Sequence, residues 1–255
     1  MLKNLLKYLA RPAYYIFKYH EVRLRYLLKP HKISMAENIP IIINNINRIT
    51  YLKKLIHSLE KRNLKNIYIL DNASTYKPLL EYYKTLPYEV IYLGKNVGHL
   101  ALWHTNLYKR FYRDYYVYTD SDVEIIDECP KDFLQFFLNE MKKNTKIDKI
   151  GLGLKIDDLP DHFQNKNQVI DWEKQFHQKR INKLFFVANV DTTFALYRPG
   201  RTHGANKYLL MCRSAFPYEL RHLPWYLDLS KLSEEELYYI HHAKTITHWT
   251  ELSKV

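Results

Sequence analysis

YYVYTDSDVEI (115–125) is the stretch on which the reading of this chain turns. Its first half, YYVYT (115–119), is aromatic and β-branched, the composition of a buried strand. The run ends on Asp120, Ser121 and Asp122, two carboxylates two positions apart. In extended chain, residues i and i+2 point to the same side, so the two charges repel. A divalent cation offsets that repulsion. Mn²⁺ or Mg²⁺ suits such ligands, because these ions prefer hard oxygens and Mg²⁺ is commonly held by one or two carboxylates plus substrate phosphates. A solvated acidic turn is the plain alternative, and the surrounding pattern argues against it.

Upstream, short apolar runs alternate with helical periods. IPIII (39–43), IYIL (67–70) and VIYL (90–93) read as strands. Ile49, Leu52, Leu55, Ile56 and Leu59 recur at three- and four-residue steps, which predicts a helix. Leu79, Leu80 and Tyr83 predict another, and HLALWHTNLYKRFY (99–112) has helical spacing. Downstream, Pro130 opens a helix with Phe133, Phe136, Phe137 and Met141 on one face. IGLGL (150–154), LFFVA (184–188) and TFALY (193–197) read as strands, and Ser233 with Glu236 is a capping-box pattern. The alternation predicts an α/β fold with a mostly parallel central sheet flanked by helices.

In such sheets ligands bind beyond the carboxyl ends of the strands. The first strand is followed by Asn44 and Asn45, and the second by Asp71, Asn72 and Ser74. The third is followed by Asn96, Gly98 and His99, and the fourth by Asp120, Ser121 and Asp122. Four polar groups are thus expected along one edge. Asp71 there could accept hydrogen bonds from a nucleotide's base or ribose, or could simply form a turn.

The 255 residues carry a formal charge of +12, with 47% apolar residues and two cysteines far apart. That length fits one α/β domain, and no zinc spacing is present. A basic surface serves nucleic acid, anionic membrane or phosphorylated substrate alike. No nucleic-acid motif is visible, so no nucleic-acid partner is expected. Residues 1–32 hold eight Lys/Arg against Glu21 alone, interleaved with leucines and aromatics. This is expected to be a basic amphipathic helical arm, either packed on the domain or making peripheral contact with a membrane. The domain proper is expected over 33–255. No run of about 20 apolar residues exists to span a bilayer. A cytoplasmic protein, peripheral on the inner face of the cell membrane through the arm, is the expected placement.

IPIIINNINR, IYILDNAST, EVIYLGKNVGH and YYVYTDSDVEI, in that order, resemble the nucleotide-binding half of glycosyltransferase family 2, which has the GT-A fold, over about residues 38–200. The resemblance implies that Asp71 contacts the nucleobase and that Asp120-Ser121-Asp122 binds the metal and the sugar-nucleotide. It also implies that the turn Asn96–His99 flanks the donor. Three features depart from the family pattern: DNAS stands where DDGS is usual, the downstream Glu-Asp pair is absent, and so is the QxxRW motif of processive synthases. The missing QxxRW motif argues for transfer of a single sugar, and the resemblance implies that transfer proceeds with inversion.

An inverting transferase needs a base for the acceptor hydroxyl, and Asp191 in FVANVDTTFALYR is the candidate. His222 in RHLPWY is the candidate third metal ligand, with His241 behind it. Arg198 and Arg201, with His203 and Lys207, lie in an expected loop that would face the leaving diphosphate. Trp225 and Tyr226 could stack on an acceptor sugar. The expected partners are a UDP-sugar and a glycan or lipid-linked acceptor, in surface polysaccharide or lipopolysaccharide synthesis. A GT-A-like glycan- or nucleotide-binding protein without catalysis is the alternative.

Overall fold

A computed structural model describes residues 32–201 and 210–242, together with His20 and Leu24. The basic arm, apart from His20, Leu24 and Lys32, lies outside the described residues, as do His203 and Lys207.

The first half is an alternation of strand and helix. Strand β1 (Ile41–Asn45) leads to helix α1 (Ile49–Glu60), β2 (Ile67–Asp71) to α2 (Lys77–Thr85), and β3 (Glu89–Tyr92) to two single turns. These turns, α3 (Ala101–His104) and α4 (Tyr108–Phe111), replace the one helix expected over 99–112. Asn106 between them adopts φ 62°, a left-handed conformation that stops a right-handed helix. Strand β4 (Tyr116–Asp120) follows, then β5 (Val123–Ile125) and α5 (Phe133–Lys143).

The second half adds β6 (Ile147–Gly151), β7 (Gly153–Leu154), α6 (Lys166–Lys174), β8 (Phe185–Val187), β9 (Ala195–Tyr197), β10 (Leu210–Ser214), β11 (Glu219–His222) and α7 (Glu234–His242). The main sheet has the order β3-β2-β1-β4-β9-β6-β10-β8. Pairs β1–β2, β1–β4, β2–β3 and β6–β10 are parallel. Strand β9 is antiparallel to both its neighbours, and β8 is antiparallel to β10. A second sheet has the order β5-β11-β7.

Both faces of the main sheet are covered, as the apolar strands require. Ile41 and Ile43 face one cluster with Leu52, Leu55, Leu79, Phe133 and Phe137. Ile42, one residue out of phase, faces the other with Leu102, Phe111, Tyr116 and Tyr118. At the start of α7 the Glu236 amide donates to Ser233 Oγ at 3.2 Å, the serine half of the capping box expected there, while Ser233 Oγ itself donates to the Glu236 carboxylate at 2.6 Å.

IGLGL divides between the two sheets, with β6 in one and β7 in the other. The crossing brings Gly153 against the backbone of β10: a Cβ there would lie 2.3 Å from the Ser214 carbonyl oxygen. Gly153→Ala is therefore expected to cost about 1–3 kcal/mol of stability through overpacking, read as a lower urea midpoint with unchanged m.

Candidate active site

The strand registers assemble the site. Asn45 pairs with Asp71 across β1–β2, Asn44 with Asp120 across β1–β4, and Asp71 with Tyr92 across β2–β3. All of these are carboxyl ends of parallel strands, and β1 is where the strand order turns from β2 to β4. That is the switch point at which α/β sheets bind ligands.

Asp120 is held from two sides. Asn44 Nδ2 donates to its Oδ1 at 3.1 Å, and the Thr192 hydroxyl donates to its Oδ2. Its amide donates to the Thr192 carbonyl at 2.9 Å. Burial, and then the charge of Asp122, push its carboxyl up to about 8. Asp122 goes the other way. Burial raises it, but His222 and Arg48 outweigh burial and hold it below the ordinary carboxylate range. His222 Nε2 stands 3.4 Å from Asp122 Oδ2. Strand pairing puts it there: β11 runs antiparallel to β5 with His222 opposite Val123, and the Leu223 amide donates to the Asp122 carbonyl at 2.8 Å.

Asp71 and Ser121 belong to one buried network. Ser121 Oγ donates to Asn45 Oδ1 at 2.6 Å, Asn45 Nδ2 to Tyr83 Oη at 2.8 Å, and Tyr83 Oη to Asp71 Oδ1 at 3.1 Å. The other Asp71 oxygen accepts the Ser74 amide at 3.1 Å, so the turn role is realised. Asn96 and His99 are exposed beside it. Asn72 pins their loop by accepting the Val97 amide at 2.8 Å and donating to the Gly98 carbonyl at 3.0 Å. Tyr118 Oη donates to the His99 carbonyl at 2.6 Å.

Asp191 is exposed, and its carboxylate accepts the Thr192 amide at 2.9 Å. The loop reaches Asp120 because β9 begins beside the end of β4, with Ala195 opposite Tyr118.

The same antiparallel direction removes Arg198 and Arg201 from the site. Tyr197 pairs with Tyr116 at the start of β4, so the chain leaves β9 at the opposite edge. Arg198 is 1% exposed and donates to the carbonyls of Ile147, Met141 and Asn144. Arg201 is buried against Asp148 at 2.6 Å. The structure thus places both among core partners, at the sheet edge opposite the one that carries Asp120 and Asp122. Trp225 is likewise core, its ring against His222, and Tyr226 bonds Asp158. His241 is exposed at the end of α7.

Arg48 supplies a cation near Asp122. Its guanidinium donates to Glu236 and lies over the rings of Tyr51 and Tyr239, 4.7 Å and 3.7 Å from their centres. Sequence patterning did not single out Arg48, Thr192, Tyr83 or the buried Lys149. Thr192 adjoins the candidate base and Arg48 closes the IPIIINNINR stretch, but Tyr83 reads as helix core and no motif marks Lys149.

Asp120 and Asp122 form a hard-oxygen pair whose chemistry fits Mn²⁺ or Mg²⁺. His222 is the nearest nitrogen ligand. Among the described residues, no three His, Cys, Asp or Glu side chains form a preassembled metal cluster.

The family model for glycosyl transferase family 2 matches residues 41–199. The chain belongs to that family. The match spans β1 through the end of β9, including all four polar strand ends. No curated protein matches the sequence at a significant level. Among solved structures, the family-2 chain is similar to S. aureus TarS 1-349, with 16% identity over 72% of this chain and 59% of that one, at TM-score 0.44. It is also similar to GalNAc-T7 with UDP, GalNAc and Mn²⁺, with 13% identity, 73% and 44% coverage and TM-score 0.47. A third is glucosyl-3-phosphoglycerate synthase from Mycobacterium tuberculosis with Mn²⁺ and UDP-glucose, with 12% identity, 67% and 62% coverage and TM-score 0.41. The chain spans about two fifths to three fifths of the length of these proteins.

A carboxyl raised by folding makes the native state weaker as pH climbs from the unfolded value through the folded one. In metal-free protein Asp120→Asn removes that penalty. The variant is expected to melt a few degrees above wild type at pH 8, with the gap closing towards pH 5. Calorimetry at the two pH values checks it.

Proposed function

We propose that the protein is a divalent-metal-dependent glycosyltransferase that moves one sugar from a nucleoside-diphosphate sugar, a UDP-sugar in the first instance, to a glycan or lipid-linked acceptor with inversion. The observation that carries this is the carboxylate pair at the end of β4, each member held by a different partner, at the switch point of a family-2 sheet. The domain of 33–255 performs the transfer. The basic segment 1–32 supplies peripheral contact with an anionic membrane surface bearing a lipid-linked acceptor. Among the described residues no helix is long and apolar enough to cross a membrane.

The residues divide the work as follows. Asp71 accepts from the base or ribose, its carboxylate aligned by Tyr83 and Ser74. The loop 96–99 closes the donor's flank from the end of β3. Asp122, with His222 beside it, and Asp120 hold Mn²⁺ or Mg²⁺. An ion held by these residues would supply positive charge for the leaving diphosphate. Asn44 and Thr192 aim the Asp120 oxygens, and Arg48 adds positive charge on the Asp122 side. Asp191, exposed beside this group, takes the proton of the acceptor hydroxyl as it attacks the anomeric carbon.

Asp122→Asn is expected to abolish Mn²⁺-stimulated release of UDP from a UDP-sugar panel. Asp191→Asn is expected to lower turnover about 10²–10⁴-fold with little change in donor KM. Turnover unaltered in both variants would overturn the assignment, and UDP binding without turnover in wild type would favour the non-catalytic reading.

Cation binding must displace the Asp120 proton, so Mn²⁺ affinity should rise roughly tenfold per pH unit until about pH 8 and then level. Calorimetric titration of Mn²⁺ in the presence of UDP measures it, and a flat profile from pH 6 to 8 would contradict the role of Asp120.

A further inference from the structure

The loop between β8 and β9 carries Asp191 and Thr192, and it rests on a lysine to which the mechanism gives no task. Lys149, in β6, is 4% exposed. Its ammonium donates to the Val190 carbonyl at 2.7 Å and the Asp191 carbonyl at 2.9 Å, and lies 4.6 Å from the centre of the Tyr197 ring. Burying an ammonium in this way carries a desolvation cost, which pushes Lys149 down to about 7. An apolar side chain would fill the same space without it. What the ammonium adds is direction: two successive carbonyls on one donor orient both peptide planes and hence the side chains of Asp191 and Thr192.

Other contacts converge on the same loop. Arg213 Nε donates to the Asn189 carbonyl at 2.6 Å while its guanidinium pairs with buried Glu173 at 2.5 Å. Val190 is seated directly on Gly151, where a Cβ would lie 2.3 Å from Val190 Cγ1. On the far side the Thr192 hydroxyl donates to Asp120, and the Asp120 amide returns a bond to the Thr192 carbonyl at 2.9 Å. Contacts therefore run without a break from Lys149 to Asp120.

We propose that Lys149 is a positioning residue of the transferase: it fixes the peptide units of Val190 and Asp191, and so sets where the Asp191 carboxylate and the Thr192 hydroxyl stand against Asp120. The proposal rests on the glycosyltransferase reading above.

The test compares full-length wild type, Lys149→Met and Lys149→Arg. Met keeps the stem and loses the donors, whereas Arg keeps both charge and donors. In the Met variant the amides of Asp120 and Thr192 should exchange with deuterium at least about tenfold faster, while those of β1 and β2 stay as in wild type. UDP release from a UDP-sugar panel with Mn²⁺ should lose about 10²-fold in kcat, as for a misplaced reacting group, with donor KM within about threefold. The Arg variant should recover to within about tenfold of wild type by the same reasoning. Lys149→Gln, a neutral donor of shorter reach, replaces Met if the latter does not fold, with an intermediate loss expected.

A variant with kcat and local exchange unchanged overturns the proposal. So does one whose exchange rises across the whole sheet, or whose kcat and KM follow the melting temperature alone. If wild type releases no UDP from any donor, the transferase reading fails instead. The exchange pattern then decides by itself whether Lys149 fixes the loop.

Discussion

Asp120 and Asp122 carry like charge in a partly desolvated corner, and their separate partners follow from that repulsion. Asp122 is compensated within the protein by His222 and by Arg48. Among the described residues Asp120 receives only neutral side-chain donors, from Asn44 and Thr192, and its carboxyl is driven upward. The pair is therefore asymmetric before anything binds. The two adjacent carboxyls are shifted in opposite directions because their partners differ. Neutral hydrogen bonds orient the second carboxyl without supplying a counter-charge.

Every element around the pair serves that asymmetry. β1 delivers Asn44 in register with Asp120, and β9 enters against the direction of β4 so that Thr192 arrives at its end. The small sheet brings His222 across from β11 to Asp122. Helix α7 closes the same corner from the C-terminal side. Glu235 accepts the amides of Ile49 and Thr50 at the start of α1, where carboxylates favour a helix's positive end. Glu236 holds Arg48 in its place between two tyrosine rings. The polar network from Ser121 through Asn45 and Tyr83 to Asp71 ties the acidic pair to the far strand end, so the two halves of the candidate donor site are mechanically linked.

Much of this was legible in the sequence because parallel βαβ units impose a simple rule. Each strand ends at the same edge, so whatever polar residue follows it arrives at the ligand edge. Asn44, Asp71, Asn96 and the Asp120–Asp122 pair obey it. Strand β1 was expected two residues early, at 39–43 rather than 41–45, because apolar Ile39 continues the run while Asn44 and Asn45 look like its end. Those asparagines are nevertheless buried strand residues, their side-chain amides donating to Asp120 and Tyr83. The rule fails where a strand runs the other way. Arg198 follows an apolar strand just as Asp120 does, yet β9 is antiparallel and carries it to the opposite edge, into carbonyls of the core.

Local sequence, then, determined the elements, the two-faced burial of the central strands and the acidic pair at a strand end, because periodicity and residue chemistry act over a few neighbours. Only the tertiary structure decided which long-range partners meet that pair. The hydroxyl of Thr192, the imidazole of His222, the guanidinium of Arg48 and the ammonium of Lys149 are brought in by strand direction and sheet order. Strand direction is a property of the whole sheet's packing, and no window of sequence as short as a strand encodes it.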